Sequence, residues 1–300
     1  MDTELLQTFS ILAHTKNFSK TAEIQHVVQS TITIRIHALE RVLGKQLFVR
    51  NKQKVELSEA GILFLPYAER MLQIYEESRF KITAMESFEA RLVIGSVDSI
   101  WRNMLLPVLK EFLIRYPQVS LKAHTNHSAE VIQLLVDGVI DIAFVYQPPR
   151  IRRFEVFVCH EDDFVLVVHP NHPLAKRAFI SIEELAKINL LYHNWSGVFS
   201  KWMEEVLPPN QLFQLQIDPA SMILSLVKEG LGPALLTRAS AAKELVNKTI
   251  VEIPLVGKPL PPVWKTYLVV HRTKLTEPAI MNWCHLMSQH NLELKSVMMS

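Results

Sequence analysis

One stretch, VVQSTITIRIHALERVLG (Val27 to Gly44), constrains the fold of this chain more than any other. Residues 31–36 alternate polar and apolar side chains, many of them β-branched, which is typical of a half-buried strand. At helical spacing the apolar residues form a stripe twelve residues long: Ile32, Ile36, Leu39 and Leu43. Gly44 follows where a left-handed helix end belongs. The stripe is longer than the alternation, so the sequence predicts a helix.

The opposite face of this helix carries side chains that suit base reading in the DNA major groove. They are Gln29, Ser30, Thr31, Thr33, Ile34 and His37. Gln can pair with adenine through two hydrogen bonds, hydroxyls serve several bases, and an aliphatic group can meet the thymine methyl. A solvated helix face is the simpler interpretation of these residues alone. Two short helices before the stretch favour a helix-turn-helix.

The second of these helices contributes candidate DNA contacts of its own, Ser19 and Lys20, and Ser19 is also predicted to cap it. A short hairpin after Gly44 would place Arg50, Lys52 and Lys54 along phosphates as a wing, although an exposed turn kept soluble by lysines is the alternative. Residues 16–54 hold eight Lys or Arg and two acids, which leaves 24 bases and 28 acids elsewhere. This concentration of positive charge predicts a polyanionic partner for the first segment.

A long helix capped by Ser58 and running to about Phe88 is predicted next, and Pro66 should either kink it or mark a separate first turn. Its apolar stripe has the spacing of a coiled-coil seam: Ala68, Met71, Tyr75, Ser78, Ile82 and Met85. After Arg91, strand and helix patterns alternate strictly, which predicts an α/β body with parallel sheets. That body has room for either one large sheet or two lobes.

Several functional classes find no support in the sequence. The N-terminus has no basic segment followed by an apolar run, and no apolar stretch is long enough to span a bilayer. Two cysteines, Cys159 and Cys284, are too few for a disulfide framework. No metalloprotease pair, nucleophile elbow or phosphate-binding loop is present. We therefore expect a cytoplasmic protein that is not an enzyme, with no cofactor, no metal site and no membrane partner.

The first 88 residues closely resemble the LysR-type transcriptional regulators. The resemblance rests on FSKTA, on VQSTITIRIHALERVLGKQLFVR and on LSEAG, and more loosely on LVIGS, LVDGVIDIAFV, DFVLVVHPNHPLA and LVKEGLGPALL. Thr21, Thr31, Thr33, Val28 and Thr237 depart from the residues usual in that family. Two of these changes, Thr31 and Thr33, lie on the reading helix, so the operator sequence would be this chain's own.

The resemblance implies a winged helix-turn-helix, a linker helix and a two-lobed α/β domain similar in fold to periplasmic binding proteins. The expected domains are residues 1–58 for DNA binding, 59–89 for the dimerising linker and 90–300 for effector binding. Within the last, lobe I would comprise 90–163 and 267–300, and lobe II 164–266. The expected partners are double-stranded DNA with paired half-sites, a small-molecule effector and further copies of the chain, as a dimer or tetramer. A small-molecule receptor without DNA binding is the alternative.

A ligand in such a fold lies at the carboxyl ends of the strands, between the lobes. The residues that follow predicted strands there are Ser96, Ser99, Thr125, Asn126, Asn194 and Trp195. Hydroxyls beside helix N-termini favour an anion, whereas Asp98 in the same loop opposes one. The sequence thus predicts where the effector binds but leaves its charge open.

Overall fold

The structure is a computed structural model, which describes residues 2–51, 54–195, 197–208, 212–218 and 220–296. The chain divides into two compact units, residues 1–88, here called the head, and residues 89–300, here called the body. Among the described residues, no helix is long and apolar enough to cross a membrane.

The head consists of helices and one hairpin. Its elements are α1 (Thr3–Thr15), α2 (Phe18–Gln25), α3 (Gln29–Leu43), β1 (Phe48–Asn51), β2 (Lys54–Leu57) and α4 (Glu59–Ser87). The ambiguous stretch is helix α3, as its apolar stripe predicts. Ile32, Ile36 and Leu39 are each 0% exposed, and Gly44 ends the helix with a φ of 65°. Strands β1 and β2 form the predicted antiparallel hairpin.

The start of α2 differs from the prediction. Asn17 rather than Ser19 is the cap, and its Oδ1 accepts a hydrogen bond from the Lys20 backbone N–H at 3.0 Å. Ser19 lies in the first turn, where its side chain is exposed. Thr21, one of the departures from the family pattern, is fully buried, and its hydroxyl donates to the Asn17 carbonyl at 2.8 Å. The hydroxyl is therefore accommodated without an unpaired polar group in the core.

Helix α4 begins as predicted, because the Ser58 hydroxyl accepts a hydrogen bond from the Gly61 N–H at 3.0 Å. Gly61 lies against the chain that enters the hairpin. A Cβ at this position would lie 2.1 Å from the backbone oxygen of Leu47, so a side chain there is excluded by contact with main chain. The helix continues through Pro66 without a break.

The apolar stripe of α4 serves two different surfaces. Ala68 is fully buried and Met71 is packed in the core of the head, next to α1. Tyr75 and Ile82 are 40% and 66% exposed, and Ser78 is exposed as well. The prediction of one continuous seam is wrong for Ala68, because the head uses it to close its own core, whereas Met71 is only partly buried there. The Met85 side chain lies outside the described part of the structure.

The body is α/β. Its strands are β3 (Ala90–Ser96), β4 (Val119–Thr125), β5 (Ile142–Val145), β6 (Phe154–Asp162), β7 (Phe164–Val168), β8 (Ile180–Ser181), β9 (Leu191–Tyr192), β10 (Leu215–Gln216), β11 (Ala234–Thr237), β12 (Val251–Ile253), β13 (Leu255–Val256), β14 (Trp264–His271) and β15 (Lys295–Ser296). Its helices are α5 (Asp98–Ile100), α6 (Leu106–Arg115), α7 (Ser128–Val136), α8 (Ile182–Leu185), α9 (Gly197–Val206), α10 (Ala220–Lys228), α11 (Arg238–Val246) and α12 (Pro278–Gln289). A π-helical turn, Trp101–Leu105, joins α5 to α6.

The strands form two large sheets, and both are mixed rather than parallel. The first has the order β15-β6-β14-β5-β3-β4 and the second the order β10-β9-β11-β7-β12. Strand β3 runs parallel to β4 and β5, but β14 runs antiparallel to β5 and β6. Strand β7 runs antiparallel to β11 and β12. The prediction of parallel sheets is wrong because β6, β7 and β14, the strands next to the crossings between sheets, run against their neighbours.

The chain crosses between the two sheets twice, which gives the body two lobes. Strand β6 ends at Asp162 and β7 begins at Phe164 in the other sheet. The return leads into β14, whose first residue, Trp264, pairs with Asp162. The two crossings therefore lie side by side. Strand β14 begins three residues before the expected lobe boundary at 267. Apolar cores cover both faces of the first sheet, and a third core fills the second lobe.

Candidate functional sites: an exposed helix face and an interlobe pocket

A polar surface forms where α2 meets the beginning of α3. We call it the reading face, and it comprises Ser19, Lys20, Gln29, Ser30, Thr31, Thr33, Ile34 and His37. Thr31 and Thr33 are half-buried and the other six side chains are exposed. The Ser19 hydroxyl donates a hydrogen bond to Gln29 Oε1 at 3.2 Å. This contact brings the two candidate segments together and orients the amide. Because an amide oxygen has two lone pairs, Gln29 keeps a free acceptor site as well as its two donors.

Two aliphatic side chains of α3 and its N-cap are exposed beside these polar groups. Val28 is 67% exposed and Ile34 is 68% exposed. Both lie within one turn of Gln29 or Ser30 along the helix. An aliphatic group at a groove-facing position is suited to contact with the thymine methyl. Both side chains are therefore exposed next to the polar groups of the reading face.

The basic residues of the head do not all face outward. Arg35, on α3, forms an ion pair with Glu4 and a 3.4 Å hydrogen bond to Gln25 Oε1, both on helices that pack against α3. His37 lies 3.2 Å from a carboxylate oxygen of Glu40. Lys54 is exposed on β2. The Arg50 side chain and all of Lys52 lie outside the described residues.

Glu40 is a positioning residue that the sequence did not single out. Its Oε1 accepts hydrogen bonds from the backbone N–H groups of Leu47 at 2.8 Å and Phe48 at 3.4 Å. These contacts hold the beginning of β1 against the last turns of α3. The signal available in the sequence was an acid four residues before the Gly44 helix end, in an otherwise basic segment.

A small pocket, part of it open to solvent, lies between the two lobes. We call it the cleft pocket. Its lining residues are Ser99, Ile100, Asn103, Met104, Tyr146, His160, Asp162, Thr237, Ala239, Trp264 and Thr266. Four of them come from the crossing strands β6 and β14, where His160 pairs with Thr266 and Asp162 pairs with Trp264. The pocket is thus built around the two crossings.

Ser99 is the one predicted effector residue that lines the cleft pocket. Ser96 is fully buried at the end of β3, and Trp195 lies in the core of the second lobe, with its ring centroid 5.8 Å from that of Trp264. Thr125 is the last residue of β4 and Asn126 follows it, and β4 is the edge strand farthest from β14 and β6. Asn194 is exposed and accepts a hydrogen bond from Ser200 at 3.0 Å. The structure does not bring these five residues to the pocket.

One wall of the pocket is a short chain of polar groups beside aromatic rings. The hydroxyls of Ser99 and Tyr146 lie 2.8 Å apart, and the rings of Tyr146 and Trp264 lie 5.1 Å apart. Burial raises the pKa of Tyr146 to about 12, although the Ser99 hydroxyl acts in the opposite direction. The phenol is therefore neutral at physiological pH. The indole N–H of Trp264 is buried beside it but makes no hydrogen bond of normal geometry.

The opposite wall connects the crossing to α11 of the second lobe. Both carboxylate oxygens of Asp162 accept from the Ala239 N–H, at 3.0 and 3.3 Å. Burial raises the pKa of Asp162, and the Ala239 hydrogen bond partly offsets that rise. The Asn103 side chain donates to the Ser240 hydroxyl at 3.0 Å, so α11 is tied to the helix of the first lobe as well. These contacts join the lobes on both sides of the pocket.

The helix of the first lobe has an irregular turn at the pocket. The π-helical turn Trp101–Leu105 contains two lining residues, Asn103 and Met104. The Trp101 indole N–H donates to the His124 carbonyl at 3.1 Å and fixes this turn to the end of β4. π-Helical turns are uncommon and recur at functional sites. This turn widens the helix where its residues reach across to α11.

Other chemistry is not evident in the described part of the chain. It contains no group of three or more His, Cys, Asp or Glu side chains placed to hold a metal ion. Burial raises the pKa of Cys159 to about 12 and that of Cys284 to about 11. Both therefore remain thiols at physiological pH, and a thiolate, the reactive form, is disfavoured.

Comparison with known proteins identifies relatives for both units. The model for a bacterial regulatory helix-turn-helix protein of the lysR family matches residues 3–62, and the LysR substrate binding domain matches residues 86–291. The probable RuBisCO transcriptional regulator of Phaeodactylum tricornutum is 31% identical over 257 residues, 82% of this chain and 83% of that protein. The HTH-type transcriptional regulator CitR of Bacillus subtilis is 26% identical over 264 residues, covering 87% and 91%.

Solved structures resemble the fold of the whole chain. CbnR, described as a LysR family transcriptional regulator, has been solved in complex with its target DNA. It matches with a TM-score of 0.73 and 21% identity, over 96% of this chain and 99% of that chain. CrgA from Neisseria meningitidis matches with a TM-score of 0.55 and 20% identity, over 96% and 99%. At these identities the structural similarity establishes the fold alone.

Proposed function

Because this chain belongs to the LysR family of transcriptional regulators, we propose that its reading face selects a DNA sequence and that a small molecule in the cleft pocket modulates this binding. The observation that carries the proposal is the hydrogen bond between Ser19 and Gln29, which joins two helices into one exposed polar surface. The DNA complex of the similar protein CbnR supports the same role for the head.

In this proposal, base reading and phosphate binding are divided between two parts of the head. Gln29, Ser30, Thr33 and Ile34 contact base edges, because a recognition helix reads bases with the residues of its N-terminal turns. Lys20 and Lys54 contact phosphates, and Arg50 and Lys52 extend that role along the hairpin. Phosphate contacts supply salt-dependent affinity, whereas base contacts supply sequence preference. Arg35 takes no part, since Glu4 and Gln25 hold it against the head.

We propose further that the protein acts in the cytoplasm as a dimer or tetramer and has no enzymatic role. The family consists of transcriptional regulators. The exposed part of the α4 stripe comprises Tyr75, Ser78 and Ile82, and its two large hydrophobic side chains offer a contact for a second copy. The two heads of a dimer would then bind two DNA half-sites whose spacing is one helical turn of DNA or a multiple of it.

The effector would act by favouring one arrangement of the lobes. A ligand shifts an equilibrium only when it binds one state more tightly than the other. The cleft pocket meets that condition, because Ser99, Asn103 and Tyr146 belong to the first lobe whereas Thr237 and Ala239 belong to the second. A molecule that touches both sets loses contacts when the lobes separate.

The test is to select a binding sequence from random double-stranded DNA with the full chain and then to titrate variants in gel shifts. Replacing Gln29 and Thr33 together by Ala should erase the preference for the selected site, since each good base contact is worth about 1–3 kcal/mol. Weak, salt-sensitive binding should remain. Gln46→Ala is the matched control, because Gln46 is also an exposed head glutamine but lies after the end of α3. An unchanged preference in the double variant would contradict the assignment.

A further inference from the structure

His37 is the residue of the reading face that lies farthest along α3. It comes four residues after Thr33 and three after Ile34, which places all three side chains on the same side of the helix. The His37 side chain is 56% exposed, and its Nε2 makes no hydrogen bond within the part of the chain that the structure describes. One ring nitrogen is therefore available to a partner outside the protein.

The other ring nitrogen of His37 is held by Glu40. Nδ1 lies 3.2 Å from Glu40 Oε2. A carboxylate accepts hydrogen bonds but has no proton to donate, so the ring must be the donor in this contact. In a neutral imidazole one nitrogen donates and the other accepts, and the partner of the first decides the role of the second. The contact therefore assigns the proton to Nδ1 and leaves Nε2 as an acceptor.

Glu40 is not free to turn away from His37. Its Oε1 accepts from the backbone N–H groups of Leu47 and Phe48, and its side chain is only 12% exposed. Leu47 and Phe48 are themselves buried, so a rotation of the carboxylate would leave buried donors without a partner. The same carboxylate thus holds the hairpin with one oxygen and the His37 ring with the other.

An acceptor at Nε2 restricts what the His37 ring can bind on DNA. Phosphate oxygens only accept, so a neutral ring in this tautomer has no hydrogen bond to offer them. In the major groove, adenine and cytosine present amino groups that donate, whereas guanine and thymine present oxygens that accept. Nε2 is complementary to the amino groups and faces lone pairs on the oxygens. The ring therefore discriminates between two classes of base.

We propose that His37 reads the amino group of an adenine or a cytosine through Nε2, and that Glu40 is the positioning residue that sets this choice by keeping the ring proton on Nδ1. The inference rests on the proposed function of the reading face and adds one base contact with its chemical rule. It also gives Glu40 a second role, because the residue that anchors the hairpin then determines which bases α3 accepts.

The test is Glu40→Gln, which keeps the shape of the side chain and reverses the role of His37. The amide oxygen stays with the Leu47 and Phe48 N–H groups, so the amide NH₂ faces Nδ1. Nδ1 must then accept, and the ring proton moves to Nε2. Selection from random double-stranded DNA with the full chain should give adenine or cytosine at one position of each half-site, and guanine or thymine there with Glu40→Gln. Exchanging the two bases should change affinity about fivefold, in opposite directions for the two proteins.

Two further variants are the controls. His37→Ala alters only an exposed side chain, so it tests the base contact independently of Glu40, and it should select no base at that position. Glu69→Gln makes the same exchange at the other His–Glu pair of the head, where His14 Nε2 lies 2.8 Å from Glu69 Oε1. That pair joins α1 to α4 outside the reading face. Glu69→Gln should therefore select the same DNA as the unaltered chain.

Nitrogen-15 NMR of the full chain labelled at histidine measures the tautomer without DNA, at about pH 8, where a histidine side chain is ordinarily neutral. The His37 signal is identified by its loss in His37→Ala. It should show the proton on Nδ1 in the unaltered chain and on Nε2 in Glu40→Gln.

A ring protonated on Nε2, or on both nitrogens, in the unaltered chain would overturn the inference. The same selected base in the unaltered chain and in His37→Ala would overturn it as well. In both cases a chain that still selects one DNA sequence retains the proposed function. A chain with the expected tautomers that prefers no sequence would instead contradict the proposed function, and the base contact with it.

Discussion

The reading face and the cleft pocket differ in how their residues are distributed along the chain. The candidate DNA contacts lie within residues 19–54, on elements that follow one another directly. The pocket collects residues from five separate segments, between Ser99 and Thr266, which meet only because the chain crosses twice between two sheets. A site built from neighbouring residues can be recognised from local periodicity. A site built by topology requires the register of the strands.

The largest expected effect tests whether the two regions are energetically separate. Phe9 is fully buried in the head against Phe48 and Phe64, and Trp283 is fully buried in the body against Phe112 and Phe144. Phe9→Ala should lower the free energy of unfolding of the head by about 3–5 kcal/mol, and Trp283→Ala should lower that of the body by a similar amount. Calorimetry should show one transition shifted in each variant, with DNA selection lost only in Phe9→Ala.

The control for this pair is Val42→Ala, since Val42 is 64% exposed and an exposed position should change stability by no more than about 0.5 kcal/mol. A single transition that moves equally in both core variants would show that the units unfold together. The head and the body would then not be independent in stability, although their sites are built from different parts of the chain.

A second, smaller effect concerns the helix that ends the head. Replacing Tyr75 and Ile82 by Asp should weaken self-association at least a hundredfold, about 2.8 kcal/mol, because a charge would have to be buried in the contact. Light scattering should report the mass of one chain. Gln73→Asp adds one negative charge to the same helix outside the stripe and should leave the mass unchanged. If the double variant keeps its native mass, the contact between copies lies elsewhere.

The smallest expected effect concerns how DNA affinity depends on salt concentration when a lysine is removed from the head or from the body. Lys54→Ala should weaken binding to all DNA sequences about equally and lower the dependence of log affinity on log salt by about one. Lys110→Ala removes the same charge from the body and should leave that slope unchanged. Filter binding at several salt concentrations measures both. A lowered preference for the selected site, with the slope intact, would mean that Lys54 reads bases.

The sequence predicted most of the head because its signals are local. The α3 stripe, the Gly44 helix end and the Ser58 cap each depend on residues within a few turns of one another. The Asn17 cap was missed because Ser19, two residues later, is an equally good capping residue by type. Glu40 was missed because its partners, Leu47 and Phe48, lie beyond the turn that follows α3.

The pocket was harder to predict for a topological reason. Asp162 and Trp264 are far apart in sequence and meet as a pair only in the register of β6 and β14. Thr237, one of the departures from the family pattern, lines the pocket and caps α11; its residue type suits a cap, but nothing in its local sequence indicates its place in the pocket. Ser99 was found because it directly follows a strong strand pattern. Residues beside the crossings carry no comparable pattern, since both crossings are short and irregular.

The glycine at the start of α4 has a consequence for how such a head can diverge. The Gln29, Ser30 and Ile34 side chains are exposed, so in the proposed function substitutions there would exchange one target sequence for another at little structural cost. Gly61 allows no such exchange, because even a methyl group there would overlap the Leu47 carbonyl. Over evolutionary time the DNA preference proposed for the head could therefore change by substitution, while the position of Gly61, where the hairpin contacts helix α4, accepts only glycine.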